Sequence, residues 1–327
     1  MENTLVEFRN LKTHFHTSSG TVKAVNDVSF KIREGETLCV VGESGCGKSV
    51  TAMTMMRLID SPHVSEGEIW FEGRELLSLH KRDMQRIRGN DISMIFQEPM
   101  SSLNPVLTIG EQIMEPLLMH TLMSNKEAKV RAIELIKLVG ISRPDEIFRS
   151  YPHELSGGMR QRIMIAIALC CNPKLLIADE PTTALDVTIQ AQILDLMRNL
   201  KQEIKTSIML ITHDLGVVAE MADYVVVMYA GRVIEEASVY ELFKNPKHPY
   251  TQGLLKAKPV INQRKERLYS IPGQVPNPID LLENCHFHER CEACMEMCRE
   301  KTPTLRTKEQ GHKVACWLYE EEGGSRP

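Results

Sequence analysis

The stretch Leu38-Cys39-Val40-Val41-Gly42-Glu43-Ser44-Gly45-Cys46-Gly47-Lys48-Ser49 limits the fold more than any other part of the chain. An apolar run of strand type leads into G-x-x-x-x-G-K-S, and helical text begins near Val50. Strand, glycine loop and helix in that order are the context in which this motif builds a P-loop. Gly42, Gly45 and Gly47 let successive backbone N–H groups turn inward as an anion nest, because no Cβ blocks the turn. The helix N-terminus behind them adds partial positive charge. Lys48 suits the β- and γ-phosphates, and the Ser49 hydroxyl suits Mg²⁺. Glu43, Ser44, Cys46 and Val50 complete the backbone around that site. These residues imply a bound nucleoside triphosphate.

With 327 residues the chain can build two domains or one elaborated domain. A net charge of -4 at pH 7 gives no general pull toward nucleic acid or anionic lipid. No apolar run reaches the ~20 residues that span a bilayer. The opening Met1-Glu2-Asn3-Thr4 shows no secretory pattern, so folding in the cytoplasm is expected. There, the 9 cysteines read as thiols or metal ligands rather than disulfides. Cys39, Cys46, Cys170 and Cys171 read as packing residues, whereas the others crowd into the stretch from 285 to 316.

Short strands over 5–8, 22–25, 28–32 and 67–71 predict an antiparallel β layer. Phe15 within it either stacks on a base or is simply buried. A strand over 91–97 ends in Gln97, an amide that can ligate Mg²⁺, hold a water or only bind a loop. Amphipathic helical text runs from Ile109 to Gly140, with Gly140 as C-cap. Leu155-Ser156-Gly157-Gly158-Met159 then leads into an apolar helix over 163–171. Two glycines ahead of a helix start form a second anion site, which takes another ligand or faces a nucleotide on another subunit.

Lys174 to Glu180 reads as a buried parallel strand ending in two acids. Asp179 suits the hold on Mg²⁺, and Glu180 suits a general base polarising the attacking water. A helix N-cap is the alternative reading of that pair. Asp186 closes a capped turn, and the helix after it shows Ile189, Ile193, Leu196, Met197 and Leu200 on one face. A strand over 207–212 ends at His213, a structural hydrogen-bonder or a γ-phosphate contact. A hairpin over 224–235 is expected to close the sheet. The pattern is that of an α/β domain with a parallel core and its ligand at the strands' carboxyl ends.

With these residues assembled, the chain resembles the ATP-binding subunit of an ABC transporter over roughly residues 4–255. The resemblance implies an ABC-type P-loop NTPase domain over 1–255, with a helical insertion at about 100–165 and a C-terminal extension over 256–327. It further implies head-to-tail pairs that sandwich ATP and Mg²⁺ between one P-loop and the other subunit's Leu155–Met159 segment. By the same resemblance Lys48, Glu180 and His213 serve hydrolysis, while Ser49, Gln97 and Asp179 serve Mg²⁺. Phe15 matches the adenine-stacking position, Gln97 a loop sensing the membrane partner, and Asp186 a loop crossing the dimer interface.

The words Phe96-Gln97-Glu98-Pro99-Met100-Ser101-Ser102-Leu103-Asn104-Pro105, Thr188-Ile189-Gln190-Ala191-Gln192 and His248-Pro249-Tyr250-Thr251 resemble the oligopeptide/dipeptide importer branch. That branch implies a second related ATPase, two transmembrane permease subunits, and an extracellular peptide-binding protein acting indirectly. The chain would sit on the cytoplasmic face of the cell membrane. Nickel and glutathione importers are the neighbouring alternatives, and a non-transport ABC ATPase is a distant one. About 130 residues without sustained heptads separate P-loop and acidic strand, and there is a single P-loop. Both facts speak against the DNA-repair and translation-linked relatives, so no nucleic acid partner is expected.

Past Leu255 the pattern loosens, and Ile271-Pro272-Gly273-Gln274-Val275-Pro276-Asn277-Pro278 reads as an extended linker. Cys285, Cys291, Cys294, Cys298 and Cys316 follow in a segment with little apolar content, which predicts a need for a staple. The spacing of Cys285, Cys291, Cys298 and Cys316 resembles peptide-importer tails that hold a [4Fe–4S] cluster, leaving Cys294 surplus. Cys291-x2-Cys294 is also zinc-like spacing, and unliganded thiols are the third reading.

Overall fold

A computed structural model of the chain describes residues 3–59, 63–97, 102–183, 185–257, 269–279 and 281–319. Residues 98–101 of the first branch-marking word therefore lie outside the described residues, as do parts of the expected C-terminal extension. In chain order the strands are β1 (Thr4–Thr17), β2 (Gly20–Arg33), β3 (Thr37–Val41), β4 (His63–Phe71), β5 (Arg74–Glu75), β6 (Ile92–Ile95), β7 (Leu175–Asp179), β8 (Ser207–Thr212), β9 (Tyr224–Tyr229), β10 (Arg232–Ser238), β11 (Arg306–Thr307) and β12 (Lys313–Val314).

The chain clusters into two compact units. One is built mainly from Ser78–Ile211 and the other from Val6–Lys31, Leu38–Leu77 and Thr212–Pro327.

In the first unit β6, β7 and β8 run parallel, with Leu175 opposite Ile92 on one side and Ser207 on the other. β7 and β8 are buried along their whole length, as continuous apolar strand text requires. The helical text over 109–140 is two helices, Ile109–His120 and Asn125–Leu138. Ser124 and Glu127 form a capping box that starts the second, and a Thr108–Glu111 box starts the first. The S-x-x-E word at 124–127 was the signal for the break. Gly140 follows the second helix at φ 76, the left-handed position that favours glycine.

In the second unit β3 pairs parallel with β9, and β9 turns through Ala230-Gly231 (φ 44 and 81) into antiparallel β10. This hairpin does not close the sheet. β12 pairs with β10 and β11 pairs with β12, so the C-terminal region extends the same sheet. A separate antiparallel sheet has the order β2-β1-β4-β5. Its first two strands are each 14 residues long, not the shorter segments expected. Left-handed Asn10 and Asp27 break the hydrophobic alternation and so disguise that continuity. Their side chains bond to each other at 2.8 Å, which carries both strands through the irregularity.

Candidate functional site

β3 delivers the chain into the P-loop from a fully buried strand. A Cβ at Gly42 would stand 2.2 Å from the Met228 carbonyl oxygen and 2.7 Å from Cys46 Sγ, so the backbone passes where no side chain fits. At Gly47, with φ 100, a Cβ would meet the Ala24 carbonyl oxygen at 2.3 Å. Gly47 caps the helix Lys48–Met55, which starts two residues before the expected Val50. Lys48 is only 5% exposed and folds back over the loop. Its Nζ donates to the Gly42 carbonyl at 2.7 Å and to the Glu43 carbonyl at 3.1 Å. Cys46 is buried beneath it, and burial pushes its thiol up. Ser44 and Gly45 are exposed, and Ser49 and Val50 are half-buried.

Glu43 is tied down from residues that sequence reasoning missed. Its N–H donates to the Tyr250 hydroxyl at 2.9 Å. Its carboxylate accepts both terminal nitrogens of Arg290, at 2.8 and 3.1 Å. Tyr250 lay inside a word singled out by resemblance, but nothing local marked Arg290. In the same unit Phe15 is half-buried at the far end of β1, opposite His63, with ring centroids 6.1 Å apart. It is not a core residue as Phe8 is. His213 is exposed just beyond β8, and Asp214 after it caps the next helix.

In the other unit β7 ends at Asp179, which is 4% exposed. Glu180 follows with φ 48, a left-handed conformation that costs about 1–3 kcal/mol for a residue with a Cβ. Its N–H still bonds the Ile211 carbonyl at 2.9 Å, so the turn comes directly off the sheet. Its carboxylate accepts from Gln97 Nε2 at 3.0 Å and from Thr183 Oγ1 at 2.9 Å. The helix cap that was the alternative reading of the acidic pair belongs instead to exposed Asp186, which accepts from the Ile189 N–H at 2.9 Å.

The helix expected over 163–171 begins earlier and spans Gly157–Leu169. Ser156 is its N-cap, accepting from the Met159 N–H at 3.3 Å. Gly157 and Gly158 are therefore its first turn rather than a loop before it. A Cβ on Gly158 would lie 3.1 Å from Ile189 Cγ2, whereas one on Gly157 meets nothing. Leu155 is buried as the anchor, while Ser156 and Gly157 are exposed. Within this helix, buried Gln161 donates to the Pro181 carbonyl at 2.6 Å, linking it to the turn that carries Glu180.

Contacts within its own unit hold the cysteine-rich region. β12 joins β10, His312 Nε2 lies 2.7 Å from Glu235 Oε1, and Phe287 packs edge-on against Tyr229 and Tyr250. Among the described residues, no group of three or more His, Cys, Asp or Glu is arranged to hold a metal ion. Burial pushes the Cys285 thiol up to about 12 and the Cys316 thiol up to about 11, and neighbouring thiols add to both.

A family model described as ABC transporter matches residues 25–183. A second, described as Oligopeptide/dipeptide transporter, C-terminal region, matches residues 234–298. The chain is 55% identical over 326 residues to the oligopeptide transport ATP-binding protein AppD of Bacillus subtilis (strain 168), covering 99% of each. It is 48% identical over 319 residues to the dipeptide transport ATP-binding protein DppD of the same organism, covering 97% of this chain and 95% of that one. Among solved structures, a dimeric post-hydrolysis state of the ATP-binding cassette MJ0796 bound to ADP and Pi matches with a TM-score of 0.65. That likeness has 29% identity and covers 72% of this chain and 98% of the other.

Proposed function

The chain belongs to the ABC transporter family of ATPases, and from that premise we propose that it energises the import of oligopeptides or dipeptides. The observation that carries the cargo class is the matched C-terminal region at 234–298, together with whole-length similarity to subunits named for oligopeptide and dipeptide transport.

In this reading Gly42–Val50 bind the triphosphate through backbone N–H groups, and Lys48 exchanges its loop carbonyls for phosphate oxygens. Gly42 and Gly47 let the loop pass hard against the Met228 and Ala24 carbonyls, an approach that any Cβ would block, and this fixes the backbone that would cradle the phosphates. Ser49 and Asp179, with Gln97, would hold Mg²⁺, which neutralises phosphate charge when bound. Glu180 is the general base, and the two donors on its carboxylate orient it toward a water. His213 contacts the γ-phosphate and Phe15 stacks on adenine; the exposure of His213 and the half-buried position of Phe15 outside the core support these roles.

Ser156, Gly157 and Gly158, with Leu155 and Met159, present a helix N-terminus to a nucleotide bound by a second, related ATPase subunit. Asp186 lies on the same interface. ATP closes that head-to-tail pair and hydrolysis releases it, working two permease subunits fed by an extracellular peptide-binding protein. The chain is peripheral on the cytoplasmic face; among the described residues no helix is long and apolar enough to cross a membrane.

For the tail, Cys285, Cys291, Cys298 and Cys316 are the thiols that would hold a [4Fe–4S] cluster, with zinc as the alternative. What supports this reading is the resemblance of their spacing to importer tails; among the described residues no three of them are arranged to hold a metal ion. No step of ATP hydrolysis passes through that group. Iron and zinc analysis of anaerobically purified protein decides between them, and protein free of both removes the proposal.

Uptake of labelled peptide by proteoliposomes containing the whole transporter tests the cargo. ATP-dependent peptide accumulation is expected. Accumulation of nickel or glutathione with no peptide uptake would assign the chain to the neighbouring importers instead.

A further inference from the structure

We infer that Arg290 is a positioning residue for the nucleotide site, reaching from the C-terminal region into the P-loop to hold Glu43 and set the loop's shape. The inference rests on the assignment of Gly42–Val50 as the phosphate-binding loop.

A phosphate loop that carries an acid at its second position has an electrostatic problem. A carboxylate turned toward the nest would repel the incoming triphosphate and compete for its N–H groups. Arg290 removes both difficulties by taking both carboxylate oxygens in a fork-to-fork pair at 2.8 and 3.1 Å. The guanidinium is 6% exposed and the Glu43 side chain 27%, so water screens the pair far less than a surface bridge.

The arginine is itself fixed. Nε donates to the Pro272 carbonyl at 2.9 Å, and Nη1 reaches the Tyr229 hydroxyl at 3.3 Å. The cation also lies over the Tyr229 and Phe287 rings, at 5.8 and 5.9 Å from their centroids. Gly273 turns the linker around its stem with φ 76, and a Cβ there would meet Arg290 Cγ at 3.1 Å.

Glu43 is thus held at three points. Tyr250 takes its N–H, Lys48 its carbonyl, and Arg290 its carboxylate. Two of the three grips come from beyond residue 234, where the second family model begins. The C-terminal region therefore completes the P-loop rather than merely following it.

The test separates positioning from simple support of the fold. Arg290→Met and Glu43→Gln each remove the ion pair, the second without touching the tail. Binding of a fluorescent ATP analogue with Mg²⁺ is titrated on the full-length chain, and kcat and KM are measured on the assembled transporter. If the loop without its clamp holds the receptive shape about a tenth of the time, Kd and KM rise about tenfold. Kcat should change less than about twofold, and the double variant should be no worse than either single one.

Unchanged nucleotide affinity in the folded variants, with only a lower Tm, would overturn the inference. Additive effects in the double variant would also overturn it. A wild-type chain that fails to bind the analogue would instead remove the assignment of the loop on which the inference stands.

Discussion

Gln97 donates from Nε2 to Oε2 of Glu180 at 3.0 Å, joining residues 83 apart in sequence at the end of parallel strands. A lone amide after a strand was a weak signal, and an acid after a strand a stronger one. Their hydrogen bond makes them one unit: the residue proposed to sense the membrane partner also aims the proposed base. Thr183 donates to the same oxygen, so Oε2 of Glu180 is held by two donors while its backbone holds a left-handed turn.

Replacing Glu180 by Gln is expected to lower kcat by about 10³-fold, the range lost with a general base. Nucleotide affinity should stay within about twofold of wild type, because no loop contact changes. Gln97→Ala removes one donor from the base and should lower kcat about tenfold, roughly the worth of one such hydrogen bond. Phosphate release and nucleotide titration on the same samples check both; full turnover in Glu180→Gln would refute its role.

Lys48→Ala removes a cation buried against two loop carbonyls. Affinity for MgATP should fall by about 10–100-fold, the value of charge-assisted bonds to phosphate. Isothermal titration reads it directly, and an unaltered Kd would show that Lys48 does not reach the ligand.

Gly42→Ala and Gly45→Ala should differ sharply. The first forces a methyl to within 2.2 Å of the Met228 carbonyl, which no rotamer relieves, and should destabilise the fold by about 2–3 kcal/mol. The second meets nothing within 4 Å and faces only the strain of φ 80, about 1 kcal/mol. Urea unfolding ranks them, and equal midpoints would contradict the crowding.

Much of this is legible in the sequence. The glycine loop, the acidic strand end and the capped turn before Val187 are local in sequence, so spacing alone exposes them. The first turn of the helix at Gly157 was misplaced because glycines ordinarily weaken helices, and here Ser156 caps the turn while Ile189 crowds Gly158. The Glu43–Arg290 pair spans 247 residues and leaves no local trace. Nor does a two-residue strand such as β12, whose identity comes from pairing with β10.

Acid should loosen the fold through His248. Burial pushes this imidazole down to about 4 from 6.5, against partial support from Glu235. Between those values the unfolded chain takes up a proton that the folded chain refuses. The stability it contributes is therefore intact above pH 6.5 and is lost as pH falls toward 4. Glu235 adds the same sign at lower pH: burial pushes its carboxyl up, but His312 and the N–H groups of Lys247 and His248 together hold it below the usual range. His248→Asn retains an acceptor for the Tyr250 N–H and removes the titration. The slope of urea midpoint against pH should flatten over that window, and an unchanged slope would assign the acid sensitivity elsewhere.

The most direct measurement is the mass, by light scattering, of an equimolar mixture of this chain and the proposed partner ATPase, each with its proposed base changed to Gln. With MgATP a single species at the summed mass is expected, reverting to separate chains without nucleotide or when Lys48→Ala is introduced. Two chains that stay apart with ATP bound to both would contradict the claim that triphosphate joins them and its hydrolysis lets them part.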